Sequence, residues 1–533
     1  MKNHFLNKHM GSELIQKIGL IVDPKKISEY ELDFIKSCCA DSLLNVSLIL
    51  IDNAREHKLK VSAITWKCIL ILERLKLHFS SFSRHFHNNN LDRINGLDDI
   101  MTYDFKLGLS NNLKKHNFNS IVSFNYHEYL LPIKNSADTD VIFFYKNASN
   151  LSNSLIGFDE IIQKEASSSF LIMKIGKDTN YFKILLEGSF FSSLYFSSNQ
   201  ASIFSRRNYY LLEILRNNLN ISDDCSNDFS LSCHTLNGIS SIPSILDQLL
   251  YLKQITKSFF SILISRLIRN KIVWSVFYSR EKWNNISCIE DRQIKNPENG
   301  YLADPFVVDE QDRSYIFVER VDFFDNKGKI AVYEIGDFPP KDLGIVIEED
   351  FHLSYPFVFR DGNNLYLIPE SSKNNDIRLY ECDSFPGKWH LHSIILDEVS
   401  AADSIVFQHN DKWWLFTNLN PSNTNDHCSE LFIFSSDSLL DGQWLPHSQN
   451  PIYIDPKRAR NGGIIFDGKD IYRVSQEQGY GVYGKNININ KIILLDNKNY
   501  VEERMDIRVT DHLNIHHLNS NSSYTVYDKW DLK

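Results

Sequence analysis

One pattern written four times constrains this chain more than any other feature. The stretch Ala303-Asp304-Pro305-Phe306-Val307-Val308 opens an apolar strand, breaks at a short polar turn and resumes as the aromatic strand Tyr315-Ile-Phe-Val-Glu319. The same succession begins again at Tyr355, Asp403 and Gly462, each standing fifteen residues before Glu370, Asn418 and Glu477, as Asp304 stands before Glu319. Copies begin 51, 48 and 59 residues apart, and each holds a further short apolar strand such as Ile330-Ala-Val-Tyr-Glu334 or Ile377-Arg-Leu-Tyr-Glu381. A unit of this kind cannot bury both of its faces alone, so copies must pack on one another, and the period suits four-stranded propeller blades. A fifth copy is read at the C-terminus, with Leu513 in the first position, Tyr524 in the aromatic one and Asp528 in the last. The strand Trp274 to Tyr278 is then free to pair with that copy and close the ring, removing the exposed edges of an open array. Five blades over residues 273–533 are expected.

The first 220 residues follow another rhythm. Lys17 to Val22 and Val46 to Ile51 are apolar strands separated by a helix from Ser28 to Cys39, which is the start of an α/β unit. A helix over Ala63 to Phe82 follows, then strands over Ser120–Phe124, Tyr129–Pro132, Asp140–Tyr145, Ser169–Ile175 and Phe182–Leu186, and a closing helix over Arg206 to Leu219. The expected architecture is therefore α/β plus all-β, with a Rossmann-like domain first. No glycine-rich phosphate loop follows the first strand.

Residues 221–240 are rich in Ser, Asn and Asp and form a linker by composition. A helix from Ser244 to Lys271 completes the linking region, 221–272, with Leu246, Leu249, Leu250, Ile255 and Phe259 at helical spacing beside Lys253, Lys257 and Arg266. Two readings fit it: a strut with its apolar stripe buried, which is preferred, or a helix lying on an anionic membrane surface.

Composition narrows the partners. A formal charge of −10 supplies no bulk basic field for nucleic acid. The 8 cysteines show no metal or disulfide spacing, and no run is long and apolar enough for a membrane span or a signal peptide. The expected location is the cytoplasm, with peripheral membrane contact through the 244–271 helix as the one exception.

The innermost strand of every blade lines the propeller axis, so equivalent early residues converge although they are distant in sequence. Asp304, Tyr355, Asp403 and the Asn461-Gly462 pair are the candidates to face a common ligand. Convergent carboxylates can polarise sugar hydroxyls, exchange protons or bind a cation. Arg458, Arg460 and Asn461 precede the fourth inner strand and can meet a phosphate or a carboxylated sugar. His512, His516 and His517 lack the partners and spacing of a known metal site, and no metal is assigned. Trp414 and most other aromatics are read as blade core.

Two resemblances extend this reading. The segment FNSIVSFNYHEYLLP resembles the strand and turn before the active-site loop of the formyltransferase-like fold, over roughly residues 15–220. That family works with an Asn, a His in a His-Pro loop and a downstream Asp; no His-Pro occurs in Lys134 to Lys146, so the resemblance implies a degenerate domain and assigns no catalytic residue. From Trp274 onward, Ala-Asp-Pro and YECDSFPGKWH resemble the five-bladed propellers of family-43 and family-32 glycoside hydrolases. GYLADPFVV, HLSYPFVFRDGNNLYLIPESS and ARNGGIIFDGKDIYRVSQE resemble more closely the propeller domain of plant glucosamine inositolphosphorylceramide transferases and of bacterial surface-polysaccharide proteins.

That likeness implies a carbohydrate-active protein acting on a glycan or glycolipid acceptor, with a sugar nucleotide as candidate donor. Asp304 would be a general base or acceptor-orienting carboxylate, Asp403 its electrostatic partner and Glu477 the acid, with Tyr355, Glu370, Arg460 and Asn461 on the substrate. Tyr355 replaces the second carboxylate of the hydrolase pattern. A repeated Glu at positions 319, 370 and 477 also has a structural reading, the satisfaction of backbone amides between blades. The alternatives are a glycoside hydrolase, a noncatalytic glycan-binding scaffold and formyl transfer by the N-terminal domain.

Overall fold

The computed structural model describes residues 15–25, 27–51, 61–77, 88–89, 100–105, 113–125, 129–145, 155–178, 182–216, 219, 242–268, 272–285, 292–506 and 514–532. The described residues divide into two compact units, one within 6–260 and the other within 261–533.

In the N-terminal unit, β1 (Gln16–Val22) leads into α1 (Glu29–Cys39), β2 (Leu44–Ile51), α2 (Val61–Leu77) and β3 (Met101–Phe105). Then come β4 (Ser120–Ser123), α3 (Leu130–Ala137), β5 (Asp140–Tyr145), β6 (Ser167–Ile175), β7 (Phe182–Phe191), α5's predecessor α4 (Phe158–Gln163, between β5 and β6) and α5 (Phe196–Leu215). One sheet runs in the order β3-β2-β1-β4-β5-β6-β7. The first five of these are parallel and the last two are added antiparallel. Ser28 starts α1 through a capping box: its hydroxyl accepts the Glu31 N–H while Glu31 accepts the Ser28 N–H at 2.9 Å. Tyr129–Pro132, expected as extended, instead opens α3; Pro132 falls in the first turn, where its missing N–H has no intrahelical partner to lose.

The helix expected over 244–271 is α6 (Ile245–Ile268). Over residues 245–257, where its side chains are described, Ile255 of the expected stripe packs inward but the leucines do not. Tyr251 and Gln248 are buried, with Tyr251 packing on Trp66 and Phe158, while Leu246, Leu249 and Leu250 are 66%, 59% and 42% exposed. Polar groups turn the helix this way: the Tyr251 hydroxyl bonds the buried Glu73, and the Gln248 amide donates to Pro243 O at 3.0 Å. Among the described residues no helix is long and apolar enough to cross a membrane.

The second unit begins with β8 (Ile272–Ser279) and β9 (Arg292–Gln293). Four antiparallel meanders follow, each starting with an inner strand and a hairpin. The inner pairs are β10 (Gly300–Glu310) with β11 (Arg313–Asp322), and β12 (Ser354–Asp361) with β13 (Asn364–Glu370). The third and fourth are β14 (Ala401–His409) with β15 (Lys412–Leu419), and β16 (Asn461–Asp467) with β17 (Asp470–Gly479). Their two-residue turns include Gln311-Asp312 and Asn410-Asp411, all at positive φ, the hairpin geometry that Asn, Asp and Gly accept most easily.

The fifth blade joins both ends of the unit. β18 (Leu518–Ser520) and β19 (Thr525–Leu532) form its inner hairpin, and β19 pairs with β8 from Ile272↔Leu532 to Ser279↔Thr525. Each inner strand adjoins the next, β10-β12-β14-β16-β18 and back to β10, so the ring is closed. Apolar faces fill the space between blades: Tyr315 and Phe317 meet Leu367 and Tyr380, and Val276 and Val526 meet Ile316 and Ala331. Trp414, 1% exposed, is core as the sequence suggests. Leu513 and His512 lie outside the described residues.

The seam between the fourth and fifth blades depends on Gly463. Its φ is +131°, and a Cβ there would stand 1.9 Å from Leu518 O. Gly463→Ala should therefore cost about 2–4 kcal/mol, through strain and loss of the seam. Gly468→Ala, at φ +63° with open space around it, should cost only about 1 kcal/mol. Urea unfolding of the two variants measures the contrast, and equal losses would show that the seam contributes nothing.

Candidate functional site

Every inner strand of the first four blades carries a β-bulge near its start, between Ala303 and Phe306, Ser354 and Phe357, Ala402 and Ile405, and Asn461 and Gly463. A bulge bends its strand and re-aims a side chain. At three of them Asp304, Tyr355 and Asp403 take left-handed backbone, with φ of 49°, 46° and 48°. That conformation is unfavourable for a side-chain-bearing residue, most of all for Tyr. The preceding blade holds it in place. The Asp304 N–H donates to Asp528 Oδ2 at 2.9 Å, the Tyr355 N–H to Asp304 Oδ2 at 3.1 Å, and the Asn461 N–H to Asn418 Oδ1 at 2.9 Å.

Strand pairing also corrects the register of the fourth copy. Val308, Phe359, Phe407 and Ile465 stand opposite Tyr315, Tyr366, Trp414 and Tyr472. Counting outward from those pairs makes Asn461 the counterpart of Asp304, and Gln476 the counterpart of Glu319, Glu370 and Asn418. The expectation built on Gly462 and Glu477 is one residue out, and in a strand one residue is a change of face. Gln476 reaches Asp403 Oδ2 at 3.1 Å and is bonded by Gln478; Glu477, between them, alternates to the other side. Fifteen residues counted from Asn461 would have found Gln476.

Two groups of side chains meet where the inner strands begin. In the first, His516 Nδ1 lies 2.7 Å from Asp528 Oδ1 and its Nε2 lies 3.4 Å from Asp304 Oδ1. The Trp274 indole stacks on the His516 ring at 3.8 Å. Burial, with the nearby charges of Glu319, Asp528, Asp403 and Glu370, holds the Asp304 carboxyl well above the usual carboxylate range. Asp304, His516 and Asp528 are the one set of three metal-ligating side chains among the described residues whose ligand atoms lie within 4.8 Å of one another. They are bonded to each other, and Asp528 also accepts backbone N–H groups.

In the second group, Arg460 forks onto Asp403, with Nε 2.7 Å from Oδ2 and Nη2 3.2 Å from Oδ1, and reaches Glu370 Oε2 at 3.5 Å. Ser372 donates to Glu370 Oε1 at 2.7 Å. Burial pushes Asp403 up to about 8, with the Glu370 charge adding to it and Arg460 opposing. Burial also raises Glu370, but Arg460, His427 and Ser372 outweigh it and hold this carboxyl below its usual value. Two acids facing one guanidinium thus keep one proton between them near neutrality. Tyr483, 39% exposed, joins the groups: its ring lies 5.2 Å from the Arg460 guanidinium and 5.5 Å from the His516 ring.

The structure brings Asp304, Tyr355, Glu370, Asp403, Arg460 and Asn461 to this place. The Tyr355 ring is fully buried against Phe306 and His517 and presents no face to a ligand. Arg458 points elsewhere, stacked on Tyr453 at 3.6 Å and 3.7 Å from Glu502. Two of the repeated glutamates, Glu319 and Glu370, bond side chains: Glu370 meets Arg460 and Ser372, and Glu319 pairs with His352 at 3.0 Å, whose Nδ1 accepts the Gly328 N–H, so Nε2 carries its proton. Trp274, Tyr483 and His516 have no signal in the repeat, because they lie outside the paired inner strands; Gln476 has one, hidden by the one-residue shift of the fourth copy. A surface depression of about 770 Å3 lined by Arg280, Arg313, Phe338 and Tyr524 shares no residue with this site.

The paired acids make stability pH-dependent. Asp403 holds its proton more tightly folded than unfolded, so the folded state carries more protons between pH 3.8 and about 8. Its contribution is complete below that window and is lost as pH rises through it. Asp403→Asn keeps an acceptor for Arg460 but has nothing to titrate. The fall in urea midpoint between pH 5 and pH 9 should be smaller in this variant than in the parent; an equal fall would mean that Asp403 does not titrate there.

Comparison with known proteins bears on the same residues. The family model described as glucosamine inositolphosphorylceramide transferase 1, N-terminal, matches residues 283–524. The chain is 34% identical to glucosamine inositolphosphorylceramide transferase 1 of Oryza sativa subsp. japonica over 232 residues, 42% of this chain and 30% of that protein. It is 35% identical to the protein of the same name from Arabidopsis thaliana over 223 residues, 41% of this chain and 28% of the relative. A thermostable family-43 glycoside hydrolase aligns with a TM-score of 0.31 and 14% identity, over 46% of this chain and 89% of its own. A family 117 glycoside hydrolase from Zobellia galactanivorans aligns with a TM-score of 0.32 and 11% identity, over 49% and 92%. The chain spans under a third of the length of the plant relatives, and the segment matched by the family model begins after the N-terminal unit.

Proposed function

We propose that this chain takes part in glycosyl transfer to a glycan or glycolipid acceptor, and that the acceptor hydroxyl is received where the inner strands begin. The observation that carries this reading is the meeting of Asp403 and Glu370 on Arg460, with Asp304, held beside His516, close enough to feel both of those carboxyl charges. The likeness to proteins named glucosamine inositolphosphorylceramide transferase supports it, since all of these residues fall inside the matched segment.

In this reading the acceptor hydroxyl donates its hydrogen bond to a carboxylate of the site. As its oxygen forms the new bond to the anomeric carbon, the bond from that carbon to the leaving phosphate breaks and the hydroxyl proton passes to the carboxylate. Asp304 is the acceptor-orienting base. Glu370, kept ionised beside Arg460, stabilises positive charge on the sugar, and Asp403 carries the exchangeable proton. Arg460 is committed to two carboxylates, so the diphosphate of a sugar-nucleotide donor lies outside this cluster. Trp274 and Tyr483 supply apolar ring faces for the sugar.

Asp304→Asn keeps an oxygen to accept the Tyr355 N–H, so the blades should remain joined. Transfer of a labelled sugar from a sugar nucleotide to an inositolphosphoryl lipid should fall by about 100-fold or more while the urea midpoint stays near that of the parent. Undiminished transfer would remove Asp304 from the chemistry. A second reading, glycoside hydrolysis, draws on the proton shared by Asp403 and Glu370; release of free sugar from a glycoside without an acceptor, lost in Glu370→Gln, would favour it over transfer.

A further inference from the structure

The N-terminal unit contains a buried cation for which the described residues provide no paired counter-charge. Arg207, on α5, is 1% exposed. Its Nη1 donates to Phe124 O at 3.3 Å, and Nε and Nη2 both donate to Asn208 Oδ1 at 3.4 Å, all long bonds to neutral acceptors. The rings of Phe124 and Phe204 flank the guanidinium, with centroids 4.7 and 4.6 Å away. Among the described residues no carboxylate forms an ion pair with it. The acid whose charge it feels is Glu31, and that side chain is engaged by the Ser28 N–H in the cap of α1. Burial draws the guanidinium pKa down to about 10, which leaves it charged at neutral pH. An ion held in a low-dielectric interior without a partner is expensive.

Its place in the fold gives the charge a meaning. β1 lies between β2 and β4, and from it the chain builds outward to β2 and β3 on one side and to β4 and β5 on the other. In open parallel sheets, ligands bind outside the carboxyl ends of the strands where the order reverses in this way. Phe124 and Asn125 directly follow β4 at that end. Asn208 donates to Tyr30 O in the first turn of α1, and Phe34 of α1 packs edge-on against Phe124 at 5.3 Å, so Arg207 lies between the elements that leave β1 and β4. The Asn125 side-chain oxygen is buried there and has no hydrogen-bond partner. A planar five-donor fork with only long, neutral contacts fits the oxygen atoms of an anion, and an Asn side chain can turn its NH2 rather than its oxygen toward one.

We propose that the N-terminal unit binds an oxyanion, a phosphate or carboxylate group, at the reversal point of its sheet, with Arg207 as the principal ligand and Asn125 beside it. The site is independent of the propeller cluster and of the chemistry assigned to it.

Calorimetric titration of the full chain with inorganic phosphate, against chloride at equal ionic strength, tests this directly, together with thermal unfolding in the same buffers. Saturable phosphate binding and a midpoint raised by several degrees are expected, and both should disappear in Arg207→Met. Asn208→Asp places a carboxylate on the fork and should also abolish the response, which keeps the test decisive if Arg207→Met does not fold. An acetate titration separates the two oxyanions: acetate equal to phosphate assigns a carboxylate site, and phosphate alone a phosphate site. No saturable response to either ion in the parent chain would overturn the proposal, as would a response that persists in Arg207→Met or in Asn208→Asp.

Discussion

The side-chain oxygens that receive the bulge amides of the neighbouring blade are what the propeller site depends on. Asp528 takes the Asp304 N–H, Asp304 takes the Tyr355 N–H, and Asn418 takes the Asn461 N–H. At Asp304 and Tyr355 the bond secures a left-handed backbone turn that is otherwise unfavourable for a residue with a side chain, and at Asn461 it secures the start of the fourth bulge. Because the acceptor belongs to one blade and the donor to the next, the bonds set the spacing of the blades and the aim of the site residues together. Asp304 takes part in both roles, which explains why its conservative amide variant is informative and a truncation would not be.

The electrostatics follow from this geometry. Inner strands that begin near one axis bring carboxyl groups close together, and a buried site raises the cost of ionising all of them. The chain answers with one arginine shared by Asp403 and Glu370, and with a histidine held between Asp304 and Asp528. A proton therefore remains on Asp403 near neutrality while Glu370 stays ionised, so the cluster holds both a donor and an acceptor for hydroxyl groups. In the N-terminal unit the situation is reversed: among the described residues one buried arginine has no acid paired with it, at the end of the sheet where such folds place ligands.

Much of the propeller was legible from residues alone. Alternation of apolar and aromatic strands, turns such as Arg360-Asp-Gly-Asn363, and a repeat near fifty residues were enough to locate the inner strands and the closing role of Trp274 to Tyr278. Asp304, Asp403 and Arg460 were found because equivalent positions in a repeat must converge. The fourth copy was misaligned by one residue, since Asn461-Gly462-Gly463 offers no carboxylate to mark the bulge, and the face of the strand was lost with it. At the start of α6 leucine spacing indicates which residues are apolar, but buried Glu73 and its bond to Tyr251 go with a face that leaves Leu246, Leu249 and Leu250 outside.

The sequence by itself determined the repeat, the strand period and the identity of the residues that open each blade, because these are local patterns of hydrophobicity and turn chemistry. Only the tertiary structure decided the partners. His516 meets Asp304 across 212 residues, and Arg460 meets Asp403 across 57. Charge state, ring stacking and exposure all depend on those long-range meetings, which are products of ring closure and of the bulges that turn side chains inward. The pattern of a blade is written in its own residues; the chemistry of the site is written in how the blades join.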